Sequence, residues 1–149
     1  MLKGIDPILT PELLMHLCAM GHNEWVAVVD ANFTADFLAR RSQPAIPVVR
    51  MVGLGLERVL KAVLSVMPLA DDVPFAANYM HVGGAAHGYQ NAVQQAVVSL
   101  VREESSGAAK VEAIERFAFY ERIKTVSLII QTGETAAYGN ALFCKGFVG

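Results

Sequence analysis

Two runs constrain the fold of this chain most: "WVAVV" at 25–29 and "VSLII" at 126–130. The first is apolar at every position and the second at every position but Ser127. A strand with one wet face alternates between apolar and polar residues, whereas a continuous Val- or Ile-rich run needs cover on both sides. These two strands therefore predict a sheet enclosed between layers. The segments around them supply those layers.

"TPELLMHLCAMGH" carries helix signals at both ends. Thr10 can cap, Pro11 fits the first helical position, Glu12 suits the positive end of the dipole, and Gly21 is expected to end the helix in the left-handed conformation. Leu13, Leu14, Leu17 and Met20 form its apolar stripe. "LGLERVLKAVLSVMPL" places Leu56, Val59, Leu60, Val63, Leu64 and Met67 on one face, and Pro68 stops it. "GYQNAVQQAVVSLVREESSG" predicts a longer helix and "ERFAFYERIKT" a short one, with Phe117 and Phe119 in the core. "IPVVRMVG", "PFAANYMHV", "AKVEAI" and "ALFCKG" are further short strands. Strands alternating with helices predict an α/β fold with a central, mostly parallel sheet covered by helices on both faces. No repeat or linker interrupts the pattern, so residues 1–149 are read as one domain.

Apolar residues at 54% and charged residues at 17% exclude a disordered chain. A net charge of −2 with scattered Lys and Arg gives no nucleic-acid footprint. Cys18 and Cys144 have neither metal-ligand nor redox spacing and are expected to be buried free thiols. Asp6, Pro7 and Pro11 interrupt the stretch where a secretion signal would need about 7–15 apolar residues. No run reaches the roughly 18 apolar residues of a membrane span. A reduced, cytoplasmic setting is the expectation.

In enclosed sheets, ligands sit beyond the carboxyl ends of strands. Asp30 ends the first apolar strand, as a turn-former or a site residue. Tyr138 and Asn140 lie in "TGETAAYGN", beside the last strand. Turn chemistry accounts for Gly133, Gly139 and Asn140 but not for a tyrosine between them. His22 follows a helix end, where an imidazole serves as a capping cation or as a general acid or base. Arg116 and Tyr120 are either solvated helix residues or a guanidinium and a phenol offered to a polyhydroxy ligand. "HVGGAAHGY" lacks a third metal ligand, "GLGLER" has Arg58 where a dinucleotide fingerprint needs its third glycine, and no G-x-S-x-G occurs.

Four stretches, in order, resemble one family nearly end to end. "LKGIDPILTPELLMHLCAMGH", "VDANF", "RFAFYER" and "TGETAAYGNALFCKG" are similar to the L-fucose mutarotase and D-ribose pyranase family, and closer to its fucose branch. The likeness is weakest from about Ala70 to Ala109. It implies an enzyme that interconverts sugar anomers without metal or organic cofactor, in ring-like homo-oligomers (decameric in bacterial examples) with sites near subunit contacts. It implies that His22 transfers the proton, and that Asp30, Arg116, Tyr138, Gly139 and Asn140 bind substrate. The chain departs from the fucose branch after the aspartate, with Asn32 and Thr34 where Ala-His-Phe-Pro is usual. D-ribose pyranase activity and non-catalytic monosaccharide binding for uptake stand as alternatives.

Overall fold

The computed structural model describes residues 2–149. Eleven elements alternate along the chain: α1 (Pro11–Ala19), β1 (Trp25–Val29), α2 (Ala35–Arg41), β2 (Val48–Met51), α3 (Leu56–Leu64), β3 (Ala77–Met80), α4 (Ala92–Glu104), β4 (Val111–Ile114), α5 (Arg116–Ile123), β5 (Leu128–Thr132) and β6 (Ala141–Cys144). The six strands make one sheet in the order β2-β5-β1-β6-β3-β4. β1, β2 and β5 pair in parallel, as do β3 and β4, while β6 runs antiparallel between β1 and β3. The expected mostly parallel sheet is present, with β6 as its reversed member.

The continuous apolar runs have a direct structural reason. Val26 and Val28 of β1 enter the core under α1, α3 and α4, whereas Ala27 and Val29 enter the core under α2 and α5. Leu128 and Ile130 follow the first pattern and Ile129 the second. A strand buried on both faces needs an apolar residue at every position, and each such Val, Leu or Ile contributes about 1.5–3 kcal/mol over its exposed state. Among the described residues no helix is long and apolar enough to cross a membrane.

Four local expectations are corrected. Helix α2 was not anticipated: Thr34 at its N-cap, Asp36 in its first turn and the buried Ala35, Leu38 and Ala39 are helix signals, but seven residues give them barely two turns in which to show. Phe119 is buried but Phe117 is exposed, because residues two apart point to opposite sides of a helix. Cys144 is buried but Cys18 is exposed, one position around α1 from the buried Leu17. Gly21 does not take the left-handed conformation; Asn23 does, at φ 64°. The end of α1 is closed by Lys145, whose Nζ donates to the carbonyls of Leu17 and Met20.

Candidate active site

Strand register assembles a cluster at the carboxyl edge of the sheet. The β1–β6 pairing of Val28 with Ala141 brings Asp30, two residues past the end of that ladder, level with Gly139. The amide of Met80, at the end of β3, donates to the carbonyl of Asn140 at 3.1 Å. Because β6 is reversed, the turn entering it lies at the same edge as the ends of its neighbours, which is how Asp30 and Asn140 meet.

They meet through a two-way bond. Asn140 Nδ2 donates to Asp30 Oδ2 at 2.7 Å, and the Asp30 amide donates to Asn140 Oδ1 at 3.0 Å. The Asn32 amide also donates to Asp30 Oδ1, at 3.0 Å. Asp30 and Asn140 are each 5% exposed. Burial pushes the Asp30 carboxyl above its ordinary range, opposed by the hydrogen bonds from Asn140, Asn32 and Phe33 and reinforced by the charge of Glu134. A carboxylate already anchored on one side can still accept a ligand hydroxyl on another.

This pair belongs to a cavity of about 230 Å³, whose wall includes Asn32, Phe33, Arg116, Tyr120 and Tyr138. That is below the roughly 300–1,000 Å³ of sites for drug-sized ligands and suits a smaller molecule. Arg116 starts α5 immediately beyond β4, and its Nε donates to the Tyr120 hydroxyl at 3.2 Å. Its remaining guanidinium donors have no partner among the described residues. Tyr138 is left-handed at φ 61°, a conformation unfavourable for a bulky side chain. Its hydroxyl lies against Gly83, where an added Cβ would approach it to 3.0 Å. Five of the six expected site residues, Asp30, Arg116, Tyr138, Gly139 and Asn140, thus gather at one edge.

His22 is elsewhere in the chain's own fold. It lies before β1 and Asp30 after it, so the strand's length of roughly 16 Å separates them. Its imidazole Nε2 is 3.1 Å from Asp72 Oδ1, and its ring meets Phe147 edge-on with centroids 5.2 Å apart. It opens onto a different cavity of about 440 Å³, shared with Leu17, Cys18, Val66 and Lys145. The two proton-handling groups that bracket β1 therefore do not share a pocket within one chain.

Residues 3–148 match the model of the RbsD / FucU transport protein family. The chain belongs to this family. Human "Fucose mutarotase" is 37% identical over 147 residues, covering 97% of this chain and 93% of that protein. Among solved structures, FucU from Bifidobacterium longum superposes with a TM-score of 0.87 at 38% identity, covering 99% of this chain and all of that one. The fucose mutarotase of Streptococcus pneumoniae, in complex with L-fucose, gives 0.80 at 28% identity, again over 99% of this chain and all of the other.

In this RbsD / FucU family chain, three supports of the pocket had not been singled out from the sequence. The buried Gln94 donates from Nε2 to the carbonyls of Met80 (2.7 Å) and Tyr138 (3.4 Å), tying helix α4 to the tyrosine turn. Asn91, capping α4, donates from Nδ2 to the Ala137 carbonyl at 2.9 Å. Glu134 accepts from the amides of Ala136 and Leu56, so it holds its own turn and caps α3, whose N-terminal Gly55 has no side chain to do so. Asn91 with Gln94 is a readable capping box. Nothing in local spacing signals a bond from Glu134 to a helix 78 residues away.

Proposed function

We propose that the chain interconverts anomers of a free monosaccharide, L-fucose first among them, and that residues 1–149 act as one sugar-mutarotase domain. The observation that carries this is the buried Asp30–Asn140 pair in a small cavity with Arg116 and Tyr138 at its wall. Directional donors and acceptors of this kind suit several hydroxyl groups at fixed positions. Such a cavity rejects an analogue lacking one hydroxyl, because its own polar groups would be left unpaired.

Anomer exchange needs little else. A base removes the proton from the anomeric hydroxyl while an acid protonates the ring oxygen, and the bond from the anomeric carbon to the ring oxygen breaks. The open-chain aldehyde then rotates, and the same steps run backwards close the other anomer. Positioned acid–base groups contribute about 10²–10⁴-fold to such a reaction. His22 is assigned the proton transfer, because an imidazole has both forms available near neutrality. Asp30, Asn140, Tyr138 and Arg116 hold hydroxyls, and Gly139 keeps the backbone close.

Because β1 separates His22 from its own pocket, His22 of a second copy must complete each site. The active species is accordingly a homo-oligomer; a ring-like assembly of up to ten copies, working in the cytoplasm, is the form the resemblance implies. Light scattering tests its size. Saturation-transfer NMR on L-fucose anomers tests the activity: the native protein accelerates exchange and a folded His22→Ala variant does not. Exchange at the buffer rate with the native protein, alongside saturable fucose binding, would instead make it a binding protein. A panel of hexoses and pentoses including D-ribose tests the sugar.

A further inference from the structure

We propose that Asp72 is the positioning residue for His22, fixing the tautomer and direction of its ring; this rests on the reading that His22 transfers the proton. Asp72 lies in the connection between α3 and β3, in the part of the chain least like the family, and it touches none of the residues gathered around Asp30.

The end of β6 delivers it. Leu69 forms a β-bridge to Lys145, the Ala70 amide donates to the Cys144 carbonyl at 3.1 Å, and the Gly146 amide donates to the Pro68 carbonyl at 2.8 Å. A Cβ on Gly146 would stand 2.5 Å from the Leu69 carbonyl oxygen, so only glycine allows the two backbones to approach this closely. On its other side the same segment holds the His22 turn, with the Asn23 amide donating to the Lys145 carbonyl and the Lys145 amide to the Glu24 carbonyl. One strand end therefore sets both partners of the His22–Asp72 pair.

The pair's geometry selects a tautomer. With Asp72 Oδ1 3.1 Å from Nε2, the carboxylate accepts a hydrogen bond from Nε2–H and keeps the proton on that nitrogen, which leaves the Nδ1 lone pair free for proton transfer. Phe147, edge-on at 80°, restrains the ring plane. The other charged groups nearby are engaged elsewhere: Glu24 with Ser127 and the Gly21 amide, and Lys145 with the end of α1. Asp72 is the one carboxylate in ion-pair reach of His22 among the described residues. The side chains are 37% and 45% exposed, open to a ligand or a second copy.

The test compares the native protein with Asp72→Ala, Asp72→Asn and His22→Ala, reading ring ¹⁵N shifts and L-fucose anomer exchange. Asp72→Ala is expected to convert His22 from one tautomer to a mixture and to lower kcat about tenfold with little change in KM, a part of what acid–base positioning supplies. Asp72→Asn, which retains an acceptor oxygen, is expected to restore most of the tautomer signal and of kcat. Unchanged ¹⁵N shifts and unchanged exchange in Asp72→Ala, with His22→Ala inactive, would overturn the role of Asp72 alone. Full exchange in His22→Ala would overturn the mechanistic reading beneath it.

Discussion

Replacing Asn140 by alanine should destabilise the protein in a pH-dependent way. The substitution removes the 2.7 Å bond to Asp30 Oδ2 and orphans the Asp30 amide, which now donates to Asn140 Oδ1. A hydrogen bond to a charged group is worth about 1.5–3 kcal/mol and an unsatisfied buried amide costs about 1–3 kcal/mol. The loss at pH 7.5 should therefore be about 3–5 kcal/mol, or about 1–2 M in the urea midpoint. Burial already raises the Asp30 carboxyl above its ordinary value. The folded protein thus binds more protons than the unfolded chain, and the Asp30 contribution to stability falls as pH rises through the folded value. Asn140 opposes that rise, so removing it lifts the carboxyl further and steepens the fall. Near pH 4 the carboxyl takes up a proton more readily in the variant, and the deficit should shrink to about 1–3 kcal/mol, the cost of the orphaned amide. Urea unfolding from pH 4 to 8, at one protein concentration, measures this. An equal deficit at both ends of the range would refute a charged acceptor at Asp30.

Three further outcomes follow from the same geometry. Gly139→Ala puts a Cβ 3.0 Å from Glu134 Cγ and should cost about 1–3 kcal/mol in thermal unfolding, whereas Gly133→Ala meets the fixed backbone of Gly53 at 2.7 Å and should cost more; the reverse order would contradict the packing described. Arg116→Lys should leave the unfolding midpoint unchanged and raise KM for L-fucose by about tenfold, since an ammonium loses the planar fork; an unchanged KM removes Arg116 from the pocket's binding groups. Asn32→His places a titrating ring at the cavity wall and should alter the ratio of fucose to ribose exchange between about pH 5 and 8; a constant ratio would show that position 32 does not reach the sugar.

What could be read from the sequence follows what each residue depends on. β1, β5 and the caps at Thr10 and Asn91 depend on neighbours in the chain, and their signals are local. Asp30 and Asn140 could be placed on one rim because both flank apolar strands, though their bond depends on β6 being antiparallel, which no local pattern states. Glu134 and Asp72 act across long sequence separations and give no spacing signal. Helix α2 stayed hidden because seven residues give too few turns for its apolar spacing to stand out. The distance between His22 and Asp30 could have been anticipated, since residues on either side of one strand end up at its opposite ends.

That distance makes subunit mixing the most direct measurement. His22→Ala and Asp30→Ala proteins, each purified and folded, should show no acceleration of L-fucose anomer exchange alone. Dissociated and reassembled together, they should regain activity, because a site pairing His22 of one copy with Asp30 of another is intact in roughly a quarter of random contacts. Mixed oligomers that remain inactive, or full activity in either variant alone, would contradict a pocket shared between two chains.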